Sequence, residues 1–302
     1  MALNNPYALS FDGVDDYAMV PYTPLLAPQR LSIIVQVKVN GWGRVVSKAY
    51  SGGYSFETVT GNQFRGNLYI AGGYKSIETT GWTPNSRVFG LSYDGSSIRT
   101  YVDGLPDTQI AQSGNISYAY NNVLAIAADP GPGSSPTPSG FTGEIDCLSL
   151  WNRGLTDEEM AMYSHIFLKG NEPGLIALYH FNEGFGNIMY DSGPNGLHGI
   201  VHGASWVPGI ADLEWGYIDV TTIMPADVSS NSMTLKGNLR GLGDYQQAEC
   251  YFQYTDDPNF ETGIVETFHQ VKTTPGEFEQ LVTGLDNTKT YYYRAVATGI
   301  SL

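Results

Sequence analysis

Residues 9–22 read LSFDGVDDYAMVPY, and the fold follows from how this stretch is divided. Asp12, Asp15 and Asp16 put three carboxylates within five residues, and a run of alternating apolar residues comes next. Alternation with period two marks a strand with one buried face. The acidic stretch then reads as a turn, and its carboxylates are candidates for catalysis, for metal binding, or for turn formation alone.

The same alternation recurs as far as Trp206 in LSIIVQVKV (31–39), GRVVSKA (43–49), GYSFETV (53–59), NLYIAGG (67–73), VFGLSYDG (88–95) and IRTYVDG (98–104). Each run has an apolar and a polar face, as antiparallel sandwich strands require. Asp94-Gly95 and Asp103-Gly104 are hairpin turn signals. One helix is expected within 155–167 as a surface connector, where Thr156 and Glu159 have the spacing of a capping box. The Pro/Gly/Ser-rich stretch 128–140 reads as a loop and as the most prominent contact loop of this part.

Beyond residue 207 the composition shifts and a second series begins: SMTLKGNL (232–239), AECYFQY (248–254), GIVETFHQV (263–271), GEFEQLVTGL (276–285) and TYYYRAVAT (290–298). This spacing of strands reads as a small Ig-like sandwich. The expected organisation is all-β, with a first domain over 1–211 and a second over 212–302. Composition agrees. Of 302 residues, 36 are glycine and 21 tyrosine, and charged residues make up 15%, which favours sheets joined by tight turns.

A formal net charge of −15 disfavours nucleic acid and anionic membranes as partners and suits calcium. Two cysteines, Cys147 and Cys250, are far apart and have no metal-type spacing, so free buried thiols are expected. The N-terminal MALNNPYALSF has neither a basic nor an apolar leader region, and no stretch is long and apolar enough to span a bilayer. Neither Sec export nor membrane insertion is therefore expected.

Residues 9–22, with VVSKAYSGGYSFET (45–58), YDGSSIRTYVDG (93–104) and GFTGEIDCLSLWNRGLTDEEM (140–160), resemble the concanavalin A-like, laminin-G-type jelly-roll family. That resemblance implies a two-sheet sandwich. Residues 175–209 resemble the strand pair that precedes the FDG strand in the commonest family layout, which implies a permuted closure. The C-terminal part resembles a fibronectin type III domain: Leu285 and Tyr291 match its tyrosine corner, while its last strand is missing, which reads first as a truncation and alternatively as an edge paired with another chain or domain.

The laminin-G resemblance implies that Asp12 and Asp146 approach each other and hold calcium together with backbone carbonyls. The other reading of Asp12 is an Asx turn before Gly13. Asp15 and Asp16 are expected to be solvated turn residues, Asp15 being the weaker metal candidate. Glycosidases of the same architecture carry a third carboxylate after the pair seen here as Glu144 and Asp146; Leu148 and Ser149 stand in its places, so that reaction is not expected. His165, His180, His198, His202 and His269 form no metal or triad pattern. Trp42, Tyr50, Tyr54, Tyr74 and Trp82 are the candidates for a sugar-stacking platform. The leading expectation is a non-enzymatic structural and binding protein on a virion surface, a capsid decoration, fibre or tail-attached component. It would be homo-oligomeric or particle-bound, with virion proteins and cell-surface carbohydrate as partners. The alternative is a carbohydrate-binding accessory region of a secreted glycan-degrading enzyme or adhesin.

Overall fold

The computed structural model describes residues 6–60, 62–82, 88–132, 136–210, 218–242 and 247–300. The chain divides into two compact units, Leu3–Leu213 and Glu214–Leu302. The domain boundary expected at 211/212 lies outside the described residues.

In the first unit, two antiparallel eight-stranded sheets face each other. The first runs in the order Leu105–Ala111, Ser97–Val102, Val88–Tyr93, Leu31–Val39, Thr142–Trp151, Tyr7–Asp12 and Ser205–Pro208, with Leu175–Tyr179 also paired to Thr142–Trp151. The second runs Ile188–Met189, Gly199–His202, Tyr17–Val20, Leu124–Ile126, Gly43–Ser47, Tyr54–Val59, Gln63–Ile70 and Gly73–Glu78. Strands from 175–209 therefore join both sheets, Gly199–His202 beside Tyr17–Val20 and Ser205–Pro208 beside Tyr7–Asp12. The last strands of the unit thus close both sheets beside its first strands.

Alternation sends one side of each strand inward. Ile33, Val35 and Val37 from the first sheet and Phe56, Phe64 and Leu68 from the second are completely buried. The rings of Phe64 and Phe89 stack with centroids 3.9 Å apart across the sandwich. Each such aromatic removes on the order of 150–250 Å² from water, which makes this layer the main source of stability.

The outer faces of the two sheets differ. The helix spans Asp157–Tyr163, shorter than 155–167, and its capping box forms: Thr156 Oγ1 accepts from Glu159 N–H at 3.2 Å and Glu159 Oε2 accepts from Thr156 N–H at 3.0 Å. It lies at the surface between Thr142–Trp151 and Leu175–Tyr179, and one side of it covers part of the first sheet. Met160 is completely buried, and a Cβ on Gly90 would stand 2.7 Å from its sulfur, so any larger residue there would force Met160 to shift. Ser32 Oγ of the same sheet donates to Arg153 O and accepts from Leu155 N–H. Within 128–140, Ala128–Asp129 pairs with Thr137–Pro138.

The second unit is a two-sheet sandwich. One sheet runs Asp219–Ala226, Ser232–Gly241, Gly276–Thr283; in the other Gln247–Thr255 is flanked by Val265–Glu266 and Gln270–Lys272 on one edge and Tyr292–Ile300 on the other. The expected strand 263–271 is thus two short pieces. Leu235, Leu239, Cys250, Phe252 and Phe278 form the core. Tyr291 Oη accepts from Asp286 N–H at 3.2 Å, bonding the phenol back to the turn that precedes it.

Lys48 is 1% exposed, with its ammonium on Asn122 O and 4.9 Å from the Tyr22 ring centroid. Burial lowers its pKa from 10.5 to about 8. A base depressed in the fold destabilises it while charged, so unfolding free energy should rise as pH goes from about 8 towards 10, by up to about 3 kcal/mol. Burial raises the phenols of Tyr54, Tyr101, Tyr118 and Tyr179, so their contribution is complete below pH 10 and lost above it. Denaturant titrations across this range should show a maximum near the crossing, and Lys48→Met should lack the rising limb.

Candidate functional site

The second sheet carries an ordered polar surface on its outer face. Register aligns Arg44 with Glu57, Glu57 with Arg65, and Arg65 with Glu78 across four strands. The ion pairs run along this row: Arg44 to Glu57 at 3.2 Å, Arg65 to Glu57 at 3.7 Å and Arg65 to Glu78 at 2.6 Å, with Asp129 closing on Arg44. Opposite charges facing across strands stabilise the sheet modestly; here they also fix each head group in place. A second row, Ser47, Ser55, Asn67 and Ser76, lies beside it. Ser55 Oγ accepts from Arg44 Nη1 at 2.9 Å and Asn67 Nδ2 at 3.0 Å, and Asn67 Nδ2 also reaches Glu57 Oε1 at 2.9 Å.

Two grooves open on this floor. One, of about 260 Å³, is lined by Arg44, Ala49, Ser55, Glu57, Asn67 and Tyr74. The other, of about 350 Å³, includes Trp42, Glu57, Val59, Arg65 and Ser139. Glu57 belongs to both.

The five aromatic candidates separate. Trp42 is 67% exposed and Tyr74 44%, and each stands at one groove. Tyr74 Oη is held by Gly52, donating to its carbonyl at 3.0 Å and accepting from its N–H at 3.1 Å. Tyr50 is half-buried beside the exposed Tyr120, ring centroids 5.4 Å apart. Tyr54 is corrected out of the platform: alternation turns it into the core, completely buried, with Oη donating to Leu26 O at 3.2 Å. Trp82 packs edge-on against Phe89 at 6.0 Å, partly buried against the core.

The acidic residues also separate. Register sets Asp12 opposite Thr142, four residues from Asp146, or roughly 13 Å along a strand. Asp146 is 1% exposed at a bulge between Ile145 and Cys147, and its Oδ2 accepts from Ile210 N–H at 2.7 Å. Asp12 gathers with Asp15 and Asp16 instead, one oxygen from each lying within 4.8 Å of the others. Asp12 Oδ1 accepts from Val14 N–H, the Asx turn before Gly13. Asp16 is not solvated as expected. It is 8% exposed, takes the Asp12 N–H at 2.9 Å, and its carboxyl is pushed up by burial and by the charges of Asp12 and Asp15. Three hard oxygen donors in one turn fit a calcium ion, whereas Asp146 is committed to the backbone of Ile210. Glu144 pairs with Lys38 at 2.9 Å. The histidines play structural parts: His198 Nδ1 accepts from Asp191 N–H, and His202 stacks on Tyr17 with centroids 4.5 Å apart.

Arg44, Glu57, Arg65 and Asn67 escaped the sequence reading. Their alternation within GRVVS, YSFETV and QFRGNLYI marked them as outward-facing, but only register brings them side by side.

Asp146→Ala should lower stability by about 1–3 kcal/mol, since Ile210 N–H is left buried and unpaired. Melting of the apo and calcium-loaded protein should assign the metal donors: the calcium-dependent shift should survive in Asp146→Ala and vanish in Asp12→Asn.

Residues 12–161 match the family model of the Concanavalin A-like lectin/glucanases superfamily, in its third laminin G form. No curated protein matches the chain. Among solved structures, a Bacteroides ovatus protein proposed to bind carbohydrate is similar at 15% identity and a TM-score of 0.54, over 69% of this chain and 61% of that one. A domain of an extracellular arabinanase from Geobacillus stearothermophilus, in complex with arabinotriose, is similar at 17% identity and 0.40, over 52% and 76%. A heptameric pentraxin from Limulus polyphemus gives 17% and 0.40, over 53% and 82%. Identities this low speak to fold alone. The first unit has a concanavalin A-like jelly-roll fold.

Proposed function

We propose that this protein is a non-enzymatic carbohydrate-binding module, and that it holds glycan on the outer face of the second sheet. The observation that carries the reading is the pair of exposed aromatics, Trp42 and Tyr74, set at the two grooves of a hydrogen-bonded polar floor. Flat rings offer apolar faces to the C–H side of a sugar, and fixed polar groups meet its hydroxyls. The match to a lectin-type family and the likeness to the Bacteroides ovatus protein support it. The absence of catalysis is supported by Glu144, held by Lys38, and by Asp146, enclosed beside Ile210.

Calcium belongs to this reading as a structural ion at the Asp12, Asp15 and Asp16 turn. The arrangement of the second unit in three-stranded and four-stranded sheets, with Tyr291 bonded back to Asp286, supports a fibronectin type III-like module. Such a pairing suits either an accessory region of a glycan-degrading enzyme or adhesin, or a virion-surface protein. Mass spectrometry of density-banded particles from the native source separates the two.

Trp42→Ala removes a ring that is 67% exposed and leaves the core intact. Glycan affinity, measured by calorimetry on a ligand found by array, should fall at least about tenfold, or 1.4 kcal/mol, with melting temperature unchanged. Undiminished binding would overturn the assignment of this face.

A further inference from the structure

We infer that the ligand of this face is an internal stretch of a linear, uncharged polysaccharide that spans both grooves, and not a terminal sugar or an acidic glycan. The inference rests on the carbohydrate reading and adds ligand length and charge.

Length follows from the strand. Ser55 lines one groove, Val59 the other, and Glu57 lies between them and lines both. All three are on Tyr54–Val59, so the floor extends roughly 13 Å from Ser55 to Val59 at the rise of a strand. That is longer than one pyranose ring. Trp42 at one groove and Tyr74 at the other supply two separate stacking surfaces, where a single terminal sugar would use one.

Charge follows from the row. An anionic sugar needs a cation free to pair with it. Both guanidinium groups on the floor are already neutralised, Arg44 by Glu57 and Asp129, Arg65 by Glu57 and Glu78. Two cations against three carboxylates leave the row with a net charge of −1, on a chain of −15. An incoming carboxylate or sulfate would meet repulsion, while neutral hydroxyls can donate to the spare acceptor positions of Asn67 Oδ1 and Ser76 Oγ, whose own hydrogens and partners are already fixed within the floor.

The test is calorimetry with xylo-, arabino-, cello- and manno-oligosaccharides of one to six units, with polygalacturonate as the acidic probe. Affinity for at least one neutral series should rise about tenfold or more from one unit to three or four, and then level off. It should be insensitive to salt, with polygalacturonate weaker than that series. Glu57→Gln, which releases both arginines from their shared partner, should raise affinity for polygalacturonate several-fold. Equal affinity for one unit and for six overturns the length, and tighter binding of polygalacturonate by the unaltered protein overturns the charge. Both results leave carbohydrate binding itself in place. Failure of every probe, together with a blank glycan array, overturns the carbohydrate reading and this inference with it.

Discussion

The Thr142–Trp151 strand lies at the centre of the first sheet, and its pairing organises the jelly roll. One edge pairs along most of its length with Leu31–Val39. The other edge is divided, with residues 142–145 bonded to Tyr7–Asp12 and residues 148–151 to Leu175–Tyr179. The handover occurs at Asp146, where a bulge shifts the register and the buried carboxylate takes the N–H of Ile210. A strand that changes partner leaves backbone groups to be satisfied at the change. Here the side chain of the aspartate satisfies the N–H of Ile210, which accounts for a buried carboxylate in this strand.

From that constraint follows the difference between the two outer faces. The segment after Trp151 turns back through the capped helix and lays Met160 over Gly90, so part of the first sheet's outer face is covered. No comparable element lies over the strands Gly43–Ser47 to Gly73–Glu78 among the described residues. Their outward side chains satisfy one another instead, through the Arg44, Glu57, Arg65 and Glu78 row and the Ser55 and Asn67 contacts. Side chains tied together in this way lose little further freedom on meeting a ligand. The face is preorganised by the same pairs that balance its charge.

The Asp12 turn illustrates how a motif and its geometry can part. The resemblance joined Asp12 to Asp146, yet one residue ends its strand opposite Thr142 while the other lies four positions away in the bulge. Asp16, which reads as a solvated turn residue, is buried against its own turn and carries a raised carboxyl. Acidic groups brought this close repel, and a divalent ion or protonation relieves the strain.

Sequence alone determined the all-β class, the strands such as Leu31–Val39 and Tyr54–Val59, the helix cap at Thr156 and the jelly-roll resemblance, because period-two alternation, turn residues and capping pairs act between near neighbours. It also placed Trp42 and Tyr74 among the aromatics worth testing. Only the tertiary structure decided that Tyr54 turns inward, that Asp146 serves the backbone of Ile210, and that Arg44, Glu57, Arg65 and Glu78 form one row. Those facts depend on which strand pairs with which and in what register, and a shift of a single residue would send each side chain to the opposite face.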